Sequence, residues 1–473
     1  MIAALHLILI YLVHTQLSNA HKQQIADNRN YIKTITDIIL YLTRQGLAFR
    51  GHDERLCSNN QGNFKEACKL FAKHNPQFSN YYNNTINHGN WLIQNDIANI
   101  CAQHVKNSII DEVKTYYMYS IMCDEARSFK EEYMAFCIRY ANGLCVEERC
   151  LGFIKVSENQ NAESLTSAIF SFIESCNLNS VSIIAQSYDG AAVMSGNKNG
   201  VQSKVRSKHP EAIYIHCMAH KLNLVVVDTC KNIKVCLKNI TNQLQQKTAT
   251  LGNTGVTVIG VIESFRKKRN AAEFSKLWQN IVNFANKNKI SLETPSLSKE
   301  EYWRIHAYYQ VIDSVIINME DRFSEQSLKL ATSIDNLLKL NYEKSKYFVD
   351  QYERLTCVNR KILEAEMTVA KNSLLQNKET FELADIISTV NQSVYPNIYK
   401  HLQLAITIPV SSSTCERSFS TMRRVKTWLR TTMAENRFSS LALLNIESDL
   451  SNKIDSEVIV NKFAEQDRRI VLK

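Results

Sequence analysis

The sequence predicts an α/β protein: a mixed sheet covered by helices, with a helical region before it and a helical stretch after it. Three observations predict this. Gly (12) and Pro (5) are scarce, which favours long helices over turn-dense all-β folds. Between Tyr119 and His216, short β-prone apolar runs alternate with helical patterns. From Thr241 to Asp385 there are helical signals and polar links only.

At 473 residues the chain exceeds what one core needs, and the length predicts two or three lobes. Hydrophobic residues at 45% and charged residues at 22% are ordinary for a globular protein. The net charge of +10, from 56 basic and 46 acidic residues, is compatible with a phosphate-bearing partner but does not establish one. The 13 cysteines are odd in number and lack paired spacing. Buried free thiols in a reducing compartment account for them better than a secreted disulfide framework.

Met1 to Val13 is apolar and is followed by Ser18-Asn19-Ala20, the outline of a signal peptide with a small-residue cleavage site. No Lys or Arg precedes the run, and the free cysteines argue against secretion. A hydrophobic helix end or a start-site accident is the preferred reading. The run is too short to span a bilayer. The sequon Asn83-Asn84-Thr85 adds little, because such triplets are frequent by chance.

The elements follow in order. Ile32, Ile35, Ile38, Ile39 and Leu42 recur at helical spacing within Asn28 to Leu47. Asp53 to Asn90 is polar and predicts loop broken by short helices; Ile93 to Tyr117 is helical again. Tyr119 to Cys123, Tyr133 to Tyr140 and Cys150 to Val156 then predict an antiparallel meander. Ala162 to Cys176 is a helix, Val181 to Tyr188 a strand, Lys198 to Lys208 a helix, Ala212 to His216 a strand and His220 to Asn239 a helix. The order β-β-β-α-β-α-β-α predicts a mixed sheet flanked by helices and is that of the RNase H-like fold. Farther on, Tyr302 to Glu320 and Ser327 to Leu340 are amphipathic. Arg266-Lys267-Lys268-Arg269 is either a solvated helix face or a basic patch for DNA or nuclear import.

Two carboxylates, Asp124 and Asp189, stand at the ends of strand-like runs. Ligands gather outside strand ends in open sheets. Neighbouring strands ending in Asp would offer hard oxygens to a pair of Mg²⁺ or Mn²⁺ ions about 3.5–4 Å apart. A third carboxylate would have to come from elsewhere, and Asp after a strand is also common in turns. Cys217-Met218-Ala219-His220 holds zinc-type ligands but no second pair at finger spacing. Ordering of a strand-to-helix turn, beside His216, is the preferred reading.

Near the end, Ser411 to Ser420 reads as a helix start, with Ser and Thr caps and Glu416 early in the helix. Phe419, Met422, Val425, Trp428, Leu429, Leu441 and Leu444 form an apolar set, with Arg423, Arg424, Lys426, Arg430 and Arg437 among them. A core-packing helix pair and a helix pair shared between protomers both fit.

These strings carry a resemblance. Ser412-Ser413-Thr414-Cys415-Glu416-Arg417-Ser418-Phe419-Ser420, with Leu441-Ala442-Leu443-Leu444-Asn445-Ile446, resembles the C-terminal dimerisation region of hAT transposases. Arg44 to Glu54, Gly62-Asn63-Phe64, Ser187 to Gly196 and His216 to Leu224 resemble the domain of unknown function that precedes it in zinc-finger MYM-type, transposon-derived proteins. The resemblance covers about Ile35 to Ile240 and Val311 to Leu450. It implies an RNase H-like core interrupted by a helical insertion. Active members cut and rejoin DNA through three acids holding two divalent metals. The resemblance carries those acids onto Asp124, Asp189 and Glu416, and the Cys-x-x-His motif onto Cys217 and His220.

Departures are visible. Ala126-Arg127-Ser128-Phe129 stands where the family has a further acid and a Thr, and an Arg there opposes cations nearby. No zinc finger precedes the core, and no Thr-Arg-Trp lies between Ile240 and Trp278.

The expected organisation is an N-terminal helical region (1–115), a first part of the RNase H-like core (116–240) and a shortened helical insertion (241–390). A dimerisation region that completes the core (391–450) and a tail (451–473) follow. The expected function is that of a transposase-derived nuclear protein, homodimeric and DNA-binding, not bound to membranes and defective in transposition. The alternative is an active DDE transposase or nuclease using Mg²⁺ or Mn²⁺, with catalytic Asp124, Asp189, Glu416 and His220 and the three acids as metal ligands.

Overall fold

Strands form where apolar runs are long enough to be covered on both faces. The computed structural model describes residues 2–55, 57–84, 89–128, 131–157, 159–229, 250–292, 299–323, 325–376, 379–426 and 433–473. Five strands make one sheet: β1 (Met118–Ser128), β2 (Glu131–Asn142), β3 (Cys145–Lys155), β4 (Ser182–Tyr188) and β5 (Ile213–His216), ordered β3-β2-β1-β4-β5. The first three are antiparallel; β4 joins β1, and β5 joins β4, in parallel. The predicted mixed sheet with flanking helices is therefore present. Tyr133 to Ala141 on β2 is buried throughout, as expected of a strand with neighbours on both edges and cover on both faces.

One side of the sheet is covered by the chain's two ends. The long helix α1 (Ile2–Arg44) buries Ile32, Ile35, Ile38, Ile39 and Leu42. Short helices α2 (Asn63–His74) and α3 (Pro76–Tyr82) follow, then α4 (Trp91–Tyr116) and α5 (Ala162–Ser175). The prediction started the first helix near Asn28. It runs back to Ile2 because no Gly or Pro interrupts residues 2–45. No helix among the described residues is long and apolar enough to cross a membrane.

The other side is covered by a helical layer. After α6 (Val201–Lys208) and α7 (Met218–Thr229), it comprises α8 (Leu251–Lys268), α9 (Ala271–Lys287), α10 (Gln310–Arg322), α11 (Glu325–Leu338) and α12 (Tyr342–Gln351). Then come α13 (Arg360–Leu375), α14 (Leu383–Thr389) and α15 (Pro396–Thr407). Ile183 and Ile184, neighbours on β4, fall in different apolar clusters because successive side chains point to opposite faces. The buried Tyr352 hydroxyl donates to the Ile184 carbonyl at 3.0 Å and pins this layer to the sheet. The predicted helix from His220 to Asn239 is described only to Thr229; Thr85, Phe129, Trp428, Leu429 and Arg430 also lie outside the described residues.

The chain then returns to the first side with α16 (Ser413–Val425), α17 (Glu435–Ile446) and α18 (Ser456–Phe463). Phe419, Met422, Val425, Leu441 and Leu444 are buried here against β1, β2 and β3 of the same protomer. Of the two readings of this helix pair, core packing is the one the structure takes for these five side chains. Two buried ion pairs clamp it to the sheet. Arg139 donates to Glu148 at 2.7 Å and to the Ile406 carbonyl at 2.8 Å. Glu148 also accepts from the Thr414 hydroxyl and, at 3.4 Å, from Arg417. On β3, Arg149 bonds Glu447 at 3.0 Å and Asp449 at 2.7 Å, while Glu447 accepts from the Cys150 N–H at 2.7 Å.

Candidate functional site

The β1–β4 ladder ends at Met122 and Ser187. Two residues beyond each stands a carboxylate: Asp124 and Asp189. Asp189 leaves the sheet there, since β4 ends at Tyr188. Asp124 does not. Strand β1 continues to Ser128, paired with β2 as far as Ser128 opposite Glu131. The expectation that Asp124 ends its strand is thus corrected: hairpin pairing with β2 holds the polar stretch Asp124 to Ser128 extended after β4 has stopped. Asp124 still faces the gap left by the end of β4.

Helix α16 brings in Glu416. Its predecessor Cys415 is buried and donates its thiol to the Met122 carbonyl at 3.2 Å. Glu416 is exposed on the same turn. Asp124 therefore lies near two other acids. Burial first, then the charges of Glu416 and Asp189, raise its carboxyl to about 7. Glu125, which sequence reasoning passed over, belongs to the same cluster. Burial, Asp189 and Glu132 raise it to about 7.

The fourth expected residue, His220, lies beside this cluster in the turn after β5. The Cys217 sulfur accepts the His220 N–H at 3.4 Å and the Ser412 N–H at 3.3 Å. The Cys217 N–H reaches the Tyr188 carbonyl at 3.0 Å, and the Met218 N–H the Val410 carbonyl at 3.0 Å. Cys217 thus ties the end of β4, the start of α7 and the start of α16 at one point. Burial pushes its thiol up, a setting that suits an acceptor thiol better than a thiolate ligand.

His216 is the residue in this region that the site assignment lacked. Its ring lies 5.9 Å from that of His220, and its Nε2 is buried without a hydrogen-bond partner among the described residues. Burial, with Lys221, His220 and Arg322 adding positive charge, lowers it to about 4, so it is neutral at physiological pH. A Cβ at Gly190 would lie 2.4 Å from His216 Cε1. Only glycine after Asp189 lets the imidazole lie there. The Tyr214 hydroxyl completes the arrangement by donating to the Asp189 carbonyl at 2.8 Å.

The structure therefore brings Asp124, Asp189 and Glu416 to one end of the sheet, with Glu125 added and His216 and His220 alongside. Their hard oxygens are chemically suited to a divalent cation. Among the described residues, no group of three His, Cys, Asp or Glu side chains that could hold a metal ion is present.

A mixed sheet in this order, with acids from β1, from the end of β4 and from a returning helix, defines an RNase H-like core. Comparison with known proteins agrees. Residues 10–200 match the ZMYM1/FAM200 RNase-like domain, and residues 355–450 match the hAT family C-terminal dimerisation region. The second of these segments thus matches a region of the hAT family. It is 25% identical over 260 residues to the 52 kDa repressor of the inhibitor of the protein kinase from Mus musculus, and equally to that from Homo sapiens. The match covers 49% of this chain and 34% of each relative, so the chain spans about a third of their length.

Proposed function

We propose that this chain is a transposase-derived nuclear protein that pairs with a second copy, binds DNA and is defective in transposition. The observation that carries this reading is the state of the acid cluster. Asp124 and Glu125 are raised to about 7 by burial and by neighbouring acids, and among the described residues no three His, Cys, Asp or Glu side chains form a group that could hold a metal ion. Arg127, three residues after Asp124, adds a cation to that end of the sheet.

DNA binding is supported by the exposed face of α16, where Arg423 stands beside Arg417, which also meets Glu148, and Arg424, which also meets Asn445. The basic tetrad contributes less than its sequence promises. Arg266 pairs with Glu263 and Glu320, and Arg269 with Asp313. The mouse and human relatives are named as repressors, a role suited to a dimer that holds DNA without cutting it. Residues 391–450 act in this reading as part of the core.

One observation favours an active DDE nuclease instead: crowded acids at a sheet end are what Mg²⁺ or Mn²⁺ would relieve, with Asp124, Asp189 and Glu416 as ligands and His220 assisting. Labelled duplex DNA separates the two readings. A gel shift that weakens steeply with salt, and no cleavage with Mg²⁺ or Mn²⁺, is the expected result. Metal-dependent cleavage that disappears in Asp189→Ala would establish the nuclease. No shift at low salt would remove DNA binding.

A further inference from the structure

Within residues 355–450 the large apolar side chains fall into two sets. Ile398, Leu402, Leu404, Met422, Phe438 and Leu444 are at most 1% exposed, inside the protomer. Among the described residues, the exposed ones all precede Tyr395: Ile362 at 49%, Val369 at 56%, Leu375 at 41%, Ile387 at 37% and Val394 at 63%.

Helix α13 shows how this arises. Leu363, Met367, Ala370 and Leu374 recur at helical spacing and are buried. A second stripe, Ile362, Ala365, Val369 and Ser373, runs along the exposed side and carries no charge. The charged Lys361, Glu364 and Lys371 lie outside it, and Glu366, which borders it between Ile362 and Val369, is turned toward the start of α15. Ile362 and Val369 are seven residues apart, two turns on one face. Helix α14 packs against α13 and buries Ile386 while exposing Ile387. The face is also held rigidly. Glu366 of α13 accepts the Asn397 and Ile398 N–H groups at 3.0 and 2.9 Å, fixing α13 to the start of α15.

We propose that this uncharged stripe of α13, with Ile387 of α14, is the face through which two copies of the chain pair. The inference rests on the reading of residues 355–450 as a dimerising region and deepens it. Among the described residues, that region's later apolar side chains are used within the protomer, and the exposed apolar face of α13 is available to meet a second copy. Two-fold pairing would place like stripes together without burying a charge.

Sedimentation velocity on the full chain tests this. Wild type is expected to be a dimer. Ile362→Arg/Val369→Arg is expected to dissociate at least about a hundredfold more readily, with unchanged circular dichroism and melting midpoint. A folded double variant that stays dimeric would overturn the face while leaving dimerisation intact. A wild-type monomer at every concentration would overturn both. Should the arginine variant misfold, Val369→Cys in a background with Cys57, Cys145, Cys230, Cys236 and Cys357 changed to Ser, labelled with a polyethylene-glycol maleimide, gives the second measurement. Labelled monomer supports the face; labelled dimer contradicts it.

Discussion

The Asn445 amide donates to the Arg44 carbonyl at 2.7 Å and to the Thr43 carbonyl at 3.1 Å, joining residues 401 positions apart. These carbonyls lie in the last turn of α1, where the Gly46 N–H also reaches the Thr43 carbonyl at 3.0 Å; Gly46, at φ 66°, turns the chain away. The Asn445 carbonyl oxygen in turn accepts from Thr421 and Arg424, each at 3.1 Å. All four hydrogen-bonding positions of one buried amide are filled. Two of the sequence strings that bear the family resemblance, one near Arg44 and one near Asn445, therefore meet in space.

Asn445→Ala should cost about 1–3 kcal/mol, because the Arg44 carbonyl and the buried Thr421 hydroxyl lose their amide partner. Asn445→Asp should cost no less, since a carboxylate would face two carbonyl oxygens. Urea unfolding measures both. A midpoint unchanged in both variants would show that the cap contributes nothing.

Glu148 is nearly fully buried and balances the buried guanidinium of Arg139. Glu148→Leu leaves that cation unpaired and should destabilise the fold by about 3–5 kcal/mol. Arg139→Met combined with Glu148→Leu should recover much of the loss. Unfolding curves for the single and double variants give the coupling; purely additive losses would contradict a buried pair.

Gly190→Ala should destabilise by about 1–3 kcal/mol, because the new methyl group meets the His216 ring. Removing the ring should remove the clash, so Gly190→Ala in a His216→Ala background should be close to neutral. Equal losses in both backgrounds would place the cause elsewhere.

Much of this architecture was legible in the chain. Apolar runs such as Tyr133 to Tyr140 declare a strand covered on both faces, and the strand-helix order declares the sheet. What escaped did so for physical reasons. Arg139 and Glu148 gave no signal of their burial, because a sequence does not show that each neutralises the other. Asp124 looked like a strand end because charge usually stops an apolar run, but pairing with β2 carries β1 onward. Glu125 gave no signal beyond its neighbour, and its high carboxyl pKa comes first from burial and then from Asp189, 64 residues away. The apolar set from Phe419 to Leu444 has the same period whether it packs on its own sheet or on another protomer. For that reason, deleting residues 411–450 would remove core as well as any interface, and point variants are the sounder probe of assembly.

The convergence of acids at the end of β1 and β4 is tested most directly by stability against pH. Asp124 and Glu125 are raised in the fold from ordinary carboxylate values to about 7. Such groups favour the fold while protonated, so stability is full below about pH 4 as far as they are concerned and falls as pH rises through 7. Melting midpoints from pH 5 to 8 should therefore decline in the wild type and decline less in Asp124→Asn, which should gain about 1–3 kcal/mol over wild type at pH 8. Glu416→Gln should show a smaller gain of the same sign. Parallel curves for wild type and Asp124→Asn across that range would contradict the meeting of these acids.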